Sequence, residues 1–271
     1  MMPVTTNKKN VSPSDEFIAN PNILCVDIGG TLIKAATINA GGTLISDFIT
    51  TQTPKPATPE AVVDLIADVV KTLPAFGRVS VGFPGVVGPH HVKTAPNLGT
   101  SRWSGFDLRA ALDERLHAPV RILNDAIVYG LGIAKGPGRE CVLTFGTGMG
   151  CALFVDGTTF FGLELGQHSA FDDCNYDQYI GHAAYLELGL QAWNERAKRV
   201  LESVHALTNV DHLYIGGGNS RRLSFNLPAW ASVVPPSTGI SGGARLWRPE
   251  MDQWFTETES ARRIGAATEQ R

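Results

Sequence analysis

The sequence predicts an α/β protein whose two similar lobes face each other across a cleft. Short apolar segments that end in glycine alternate with amphipathic helical segments along most of the 271 residues. A strand, a glycine turn and a second strand also occur twice, as ILCVDIGGTLIKAATINAGG and ECVLTFGTGMGCALFVDG, with Gly29 aligned on Gly146. Because ligands bind preferentially between domains, this duplication predicts a binding site in the cleft.

The first lobe, residues 21–137, begins with the apolar strands ILCVDIGG and IKAATI, and a turn at Gly41–Gly42 continues them as a hairpin. Residues 58–73 predict a helix that Thr58 caps and Pro59 begins. RVSVGFPGVV is a buried strand, a short helix follows at 107–117, and the strand PVRIL ends at Asn124–Asp125.

The second lobe, residues 138–255, follows the connecting helix AIVYGLGIAKG. Residues 182–207 predict a long amphipathic helix, and the strand HLYIG after it runs into glycines 216–218. The expected apolar face of the helix is Leu186, Leu190, Trp193, Ala197, Val200, Leu201, Val204 and Leu207. Residues 1–20 and 256–271 are polar and without periodicity, so flexible tails are expected there.

Composition and charge argue against several classes of protein. A formal net charge of -3 and a hydrophobic content of 43% are typical of a globular protein, whereas nucleic-acid binders are usually basic. No segment reaches the roughly 18–20 apolar residues that span a bilayer, and the N-terminus does not resemble a secretory signal. A cytoplasmic protein is therefore expected. The cysteines, which form no C-x-x-C pair and predict neither zinc nor disulfides, are Cys25, Cys141, Cys151 and Cys174.

The glycine turns predict phosphate-binding loops. Glycine lets the backbone turn sharply and point its N–H groups at an anion, and a neighbouring threonine adds a hydroxyl donor. The pattern is neither a Walker loop nor a dinucleotide-binding fingerprint, and a plain hairpin is the alternative for either copy alone. The candidate residues are Gly29, Gly30, Thr31, Gly146, Thr147 and Gly148, with Gly216, Gly217 and Gly218 as a third cluster.

Two aspartates at strand ends complete the candidate cleft. A carboxylate beside a phosphate loop repels the phosphate unless a cation lies between them, so Asp27 predicts Mg²⁺ bound through water. A turn-capping role is the alternative for Asp27. Asp125 ends an apolar strand and is expected at the cleft edge, where α/β proteins place their active sites. Its alternative role is to cap the helix that begins at Ala126.

The segment GLELGQHSAF places Glu164, Gln167 and His168 within five residues. Taken locally, these side chains fit metal ligands, a nucleophile-activating site or a clamp for a polar substrate. The segment alone does not decide among the three.

In their order along the chain, these motifs resemble the ROK sugar kinases of the actin–hexokinase superfamily. The resemblance covers roughly residues 22–247 and rests on DIGGT with IKAA, LNDA, GTGMG, ELG before a histidine, and YIGGGNSRR. The run from ELGQH onward is most similar to the polyphosphate glucokinase branch. The resemblance implies a two-lobed actin-like ATPase (ribonuclease H-like) fold with a central cleft. It also implies phosphoryl transfer from ATP or inorganic polyphosphate to a hexose, with glucose as the default acceptor.

The resemblance further implies a role for each residue of the cleft. Asp125 is the general base for the attacking sugar hydroxyl. The implied sugar-binding residues are Gly85, Asn97, Asn124 and Glu164, with Gln167 or His168 at the place of a family histidine. Glycines 216–218 lie on the adenosine side. Because polyphosphate is a long anion, a basic groove is expected for it, and its candidates are Lys34, Lys198–Arg199 and Arg221–Arg222. Solvated charges of helices and loops are the alternative for these residues.

The chain departs from the family pattern in three places. Gln167 replaces the histidine of E-x-G-H, and His168 follows one position late. The zinc motif C-x-C-G-x-x-G-C is absent, so no structural zinc is expected. His182 stands where an acidic or small residue is expected. A catalytically impaired sugar- or nucleotide-binding sensor and a kinase for another hexose or amino sugar therefore stay as alternatives. No nucleic-acid or membrane partner is expected, and the resemblance allows a homodimer.

Overall fold

The computed structural model describes residues 20–88, 90–159 and 163–255. Except for Asn20, the two predicted tails lie outside these ranges. The strands are β1 (Ile23–Ile28), β2 (Leu32–Ile38), β3 (Ile49–Gln52), β4 (Arg78–Phe83), β5 (Val120–Asn124), β6 (Arg139–Phe145), β7 (Met149–Val155), β8 (Thr158–Thr159), β9 (His212–Gly216) and β10 (Ala231–Val233). The helices are α1 (Pro59–Val69), α2 (Thr100–Trp103), α3 (Leu108–Leu116), α4 (Asp125–Leu131), α5 (Tyr176–Ile180), α6 (His182–Thr208) and α7 (Gly242–Arg245).

Two five-stranded sheets have the same strand order, β3-β2-β1-β4-β5 and β8-β7-β6-β9-β10. In the first sheet β2 is antiparallel to β1 and β3, whereas β4 is parallel to β1 and β5. The second sheet repeats this pattern with β7 and β9 in the places of β2 and β4. The topology therefore contains the duplication that the sequence predicts, while the borders at residues 137 and 138 stay a prediction.

The register of the two sheets agrees with the alignment of Gly29 on Gly146. Asp27 of β1 is paired with Gly82 of β4, and its counterpart Thr144 of β6 is paired with Gly216 of β9. Each glycine turn therefore follows the central strand of its sheet, beside a glycine of the parallel neighbour.

The helix starts follow capping chemistry. Thr58 Oγ1 accepts a hydrogen bond from the Ala61 N–H, and Pro59 occupies the first turn of α1. At the start of α4, Asn124 Oδ1 accepts from the N–H groups of Ala126 and Ile127 at 3.0 and 3.3 Å. The alternative in which Asp125 is the helix cap is therefore wrong, because Asn124 is the cap and Asp125 is the first helical residue.

The long helix α6 departs from the predicted apolar face. Gly189 has φ 75° and ψ 174°, so the helical path is interrupted near its start. Leu186 and Leu190 flank this break and are 69% and 48% exposed, and Leu207 in the last turn is 68% exposed. The break changes the helical phase, so one continuous period cannot describe both parts. Beyond the break the predicted face is buried, at Trp193, Ala197, Val200, Leu201 and Val204.

Helix α4 lies between the second sheet and the C-terminal part of the chain. Its residues pack on Val142, Ala152 and Phe154 of β6 and β7. On another side it meets Gly242 so closely that a Cβ there would lie 1.8 Å from the Val128 carbonyl oxygen. This contact requires glycine because backbone occupies the space of a side chain.

After this contact the chain returns to the first sheet. Ser80 Oγ on β4 donates a hydrogen bond to the Gly243 carbonyl at 2.7 Å and accepts one from Trp247 Nε1 at 2.9 Å. The residues Ile240, Ala244 and Trp247 cover Ile23, Cys25 and Ile38 of that sheet. Among the helices of the described residues, none has the length and apolar character needed to cross a membrane.

Candidate active site

Asn124 and Asp125 stand at the junction of β5 and α4, where Asn124 joins three predicted site residues. Its Oδ1 is held by the helix N-terminus, so its Nδ2 points the other way. Nδ2 donates to Glu164 Oε1 at 3.1 Å and approaches the Gly85 carbonyl at 3.4 Å. The structure therefore brings Gly85, Asn124, Asp125 and Glu164 to one place, although they are up to 79 residues apart in sequence (164 − 85).

Asp125 shares this place with Asp27. Gly82 lies between them, since a Cβ on Gly82 would be 3.5 Å from Asp125 Cβ and 3.8 Å from Asp27 Oδ1. The Ala126 N–H donates to Asp125 Oδ1 at 2.8 Å. Burial raises the pKa of Asp125 to about 8, and the negative charges of Asp27 and Glu164 act in the same direction. At neutral pH the Asp125 carboxyl therefore holds its proton until a positive charge enters the site.

Asp27 is the carboxylate through which a cation could enter. The Asp27 side chain is 50% exposed. The protein around its carboxyl removes part of the hydration and so raises the pKa of Asp27. Lys34, whose Nζ lies 3.5 Å from Oδ2, lowers the same pKa. Of the carboxyl groups at this site, Asp27 is the one that Lys34 contacts. No group of three or more His, Cys, Asp and Glu side chains suited to a metal occurs in the described part of the chain. Asp27, a half-exposed carboxylate directly before the first glycine loop, fits Mg²⁺ that keeps several waters and binds phosphate oxygens.

The first glycine loop is fixed by a residue that the sequence did not indicate. Buried Thr53 donates from Oγ1 to the Gly29 carbonyl at 2.6 Å and from its N–H to the Thr31 carbonyl at 3.0 Å. Gly30 packs on Asn97, because a Cβ on Gly30 would lie 2.8 Å from Asn97 Cβ. The first loop and the predicted sugar-binding Asn97 are therefore neighbours. A single threonine after a short strand carries no motif that could have revealed Thr53.

The second glycine loop and the third glycine cluster are joined by Asn219, which the sequence analysis also missed. The Asn219 N–H donates to the Phe145 carbonyl at 2.9 Å, and its Nδ2 donates to the Gly146 carbonyl at 3.1 Å. Gly217, with φ 82°, packs directly on Phe145, as its left-handed backbone allows. Thr147 and Gly218 are exposed, whereas Gly216 is buried against Tyr129.

Gln167 and His168 have different surroundings. Gln167 Nε2 donates to Asp177 Oδ2 at 2.6 Å, and Asp177 Oδ1 accepts from the Met149 N–H at 2.7 Å. A Cβ on Gly148 would also meet the Asp177 carboxylate at 2.3 Å. His168 Nδ1 instead lies 2.9 Å from the carbonyl of its neighbour Ser169. Gln167, rather than His168, is thus connected to the second loop through Asp177, an aspartate outside every motif of the sequence.

Two other residues of the predicted basic groove, Lys198 and Arg199, lie on helix α6. The Arg199 guanidinium stacks over Phe171 at 3.9 Å and faces Asp172 at 4.0 Å, and Lys198 and Arg221 are exposed.

Cys141 and Cys151 are free thiols whose Sγ atoms are 3.9 Å apart in the core of the second sheet.

Comparisons with known proteins show the family of the chain. A family model described as the ROK family matches residues 23–170. A polyphosphate glucokinase from Mycobacterium tuberculosis is 35% identical over 242 residues, covering 81% of this chain and 88% of the relative. Its counterpart from Mycobacterium leprae is 33% identical over 236 residues, covering 81% and 72%.

Solved structures give the same picture. An inorganic polyphosphate/ATP-glucomannokinase from Arthrobacter sp. strain KM superposes with a TM-score of 0.75 at 30% identity, covering 83% of this chain and 98% of its own. A ROK family glucokinase from Streptomyces griseus, crystallised with glucose and AMPPNP, has a TM-score of 0.66 at 20% identity, covering 83% and 98%. The latter similarity concerns the fold alone.

Proposed function

The chain belongs to the ROK family, and from this we propose that it is a hexose kinase. It transfers the terminal phosphoryl group of ATP or inorganic polyphosphate to a sugar hydroxyl, with glucose as the first acceptor to test. The observation that carries the proposal is the placement of Asp125 beside Asn124, Glu164 and Asp27, at the edge of a glycine loop. The printed names of the relatives support the choice of acceptor and of both donors.

On the acceptor side, Asn124 and Glu164 hold hexose hydroxyls, with Asn97 and Gln167 on either side. Gly85 must be glycine because a Cβ there would meet the Thr94 carbonyl oxygen, and its own carbonyl accepts from Asn124 Nδ2 at 3.4 Å. Asp125 accepts the proton of the attacking hydroxyl and orients that oxygen toward the donor. The His168 ring contacts the carbonyl of the next residue, Ser169, and His168 is a weaker candidate for sugar binding than Gln167.

On the donor side, the loops Gly29–Thr31 and Gly146–Gly148 bind phosphates, and Gly216–Gly218 lies toward the remainder of the donor. Asp27 would hold Mg²⁺ through water, and the ion when bound would supply positive charge that offsets the phosphate oxygens. Lys34, at 3.5 Å from Asp27, adds a second positive charge and limits repulsion between the carboxylate and the donor. Burial and the charge of Asp27 both raise the pKa of Asp125, so a positive charge bound at Asp27 would lower it.

A coupled assay tests this proposal. The purified protein is given ATP or polyphosphate with a panel of hexoses and amino sugars, and phosphorylated sugar is measured. We expect turnover of glucose, and a loss of about 100- to 10,000-fold in kcat for Asp125→Asn, since a general base contributes that much. Asp64→Asn, which changes an exposed aspartate paired with Arg115, is the matched control and retains activity. Sugar binding by calorimetry without turnover on any donor would refute the kinase and favour a sensor.

Two further expectations belong to this proposal. A cytoplasmic location is proposed because ATP is abundant there. A homodimer is proposed from the family resemblance, and size-exclusion chromatography with light scattering measures its mass directly.

A further inference from the structure

Two basic side chains, Arg222 and His182, meet beside the second glycine loop, where both contact the side-chain oxygen of buried Asn219. Asn219 is 4% exposed, and its Oδ1 lies 3.2 Å from Arg222 Nε and 3.3 Å from His182 Nδ1. Because Asn219 Nδ2 donates to the Gly146 carbonyl, the orientation of this amide is fixed and Oδ1 must accept both bonds. His182 therefore carries a proton on Nδ1, and Arg222 and His182 have defined positions relative to the loop.

The charge of Arg222 is not offset by a carboxylate. Its guanidinium stacks on the Tyr185 ring at 4.1 Å, and the His182 ring stacks on Tyr185 with centroids 5.9 Å apart. Within the described ranges, Arg222 and His182 form no ion pair with an acidic side chain. Some other arginines of the second lobe do, as between Arg139 and Asp211 at 2.9 Å. The site thus holds a positioned positive charge that lacks an anion.

This site is connected to the base through the second loop. The chain of contacts runs from Asp125 to Ala126, whose Cβ would be 2.8 Å from a Cβ on Gly150 of β7. It continues through the loop between β6 and β7 to Asn219, and ends at Arg222. A donor whose terminal phosphate lies at Asp125 and whose next phosphates lie on the loops therefore extends toward Arg222.

We propose that Arg222, together with His182, binds the phosphates of inorganic polyphosphate that lie beyond the first three, and so determines donor preference. This inference rests on the proposed function. ATP carries an uncharged nucleoside at that position, whereas polyphosphate carries further anions. A guanidinium can donate two parallel N–H groups to one phosphate, and stacking on Tyr185 holds its plane in place.

The test compares three donors with one variant and its controls. Affinities of the full-length protein for ATP, tripolyphosphate and a longer polyphosphate are measured by calorimetry, and kcat/KM is measured for ATP and the longer polyphosphate. For Arg222→Gln we expect affinity and kcat/KM for the longer polyphosphate to fall by about tenfold more than those for ATP or tripolyphosphate, because a hydrogen bond to a charged group is lost. Arg222→Lys keeps the charge and should recover part of this loss.

Lys135→Gln provides the matched control, because it removes one exposed positive charge beyond the opposite end of α4. It should leave the ratio between donors unchanged, and thermal unfolding establishes that each variant is folded. Equal losses for all three donors, or a larger loss for ATP, would overturn the inference. A wild-type protein that binds the donors but transfers no phosphate would refute the kinase proposal, while the binding ratios would still decide the role of Arg222.

Discussion

Asp125 illustrates how a single carboxyl group can be prepared for catalysis by its surroundings. Its burial, the neighbouring Asp27 and the more distant Glu164 all favour the protonated form, and the Ala126 N–H opposes them only in part. A base with a pKa near the working pH combines a useful fraction of the ionised form with a strong affinity for the proton.

The acidic limb of the profile of kcat/KM against pH should depend on the negative charges around Asp125. In Glu164→Gln one of the two negative charges that raise the pKa of Asp125 is lost, while the glutamine still accepts from Asn124. The pKa of Asp125 then falls, so the acidic limb of kcat/KM should move to lower pH. The measurement is a profile of kcat/KM against pH with glucose as acceptor. Glu202→Gln, an exposed change on α6, should leave the limb in place, and an unmoved limb in Glu164→Gln would separate it from Asp125.

The same carboxyl group should lower the stability of the wild-type protein as the pH rises from about 4 to about 8. The pKa of Asp125 rises from 3.8 to about 8 on folding, so between these values the folded state binds a proton that the unfolded state has lost. Stability therefore falls as the pH rises through this window. Asparagine cannot ionise, so Asp125→Asn should have the higher Tm, by a margin that grows from pH 4 toward pH 8. Calorimetric scans at several pH values measure it, and a constant margin would contradict the assigned pKa.

At the scale of elements, the contact between α4 and the segment at Gly242 is the tightest backbone packing described above. Gly242→Ala places a Cβ against the Val128 carbonyl, and Gly242 has ordinary helical dihedrals, so the cost is steric alone. We expect a loss of about 1–3 kcal/mol of unfolding free energy, measured by denaturant titration. Gly146→Ala is the control for stability, because its Cβ would meet no atom within 4 Å. Equal stability of the two variants would contradict the packing.

Most elements were predictable because their signals are local. Thr58 and Pro59 predict the start of α1, and the glycine turns separate β1 from β2 and β6 from β7. The long helix was predicted to start at His182, as observed, but the break at Gly189 was not, because its left-handed backbone depends on tertiary packing. Strands as short as β3, β8 and β10 gave no periodicity to detect.

At the scale of the whole molecule, the duplication could be recognised because both copies keep their glycine turns. The cleft residues Asp125, Asn124 and Glu164 came from motifs, and the structure places them in contact. Thr53 and Asp177 could not be found in this way, because each contacts the loops from a distant part of the chain without a motif of its own. Asn219 lies in the motif YIGGGNSRR, but its contact with the Gly146 carbonyl forms only in the folded chain. The return of residues 240–247 to the first sheet is likewise a long-range contact that no local pattern encodes.

That return has a consequence for biosynthesis. The ribosome makes Ile23, Cys25 and Ile38 before the residues that cover them, Ile240 to Trp247. At about 5–20 residues per second, the first sheet waits on the order of ten seconds or more with this face open to water. A nascent chain in that state offers an apolar surface to any chaperone that binds such surfaces, until residues 240–247 have left the exit tunnel.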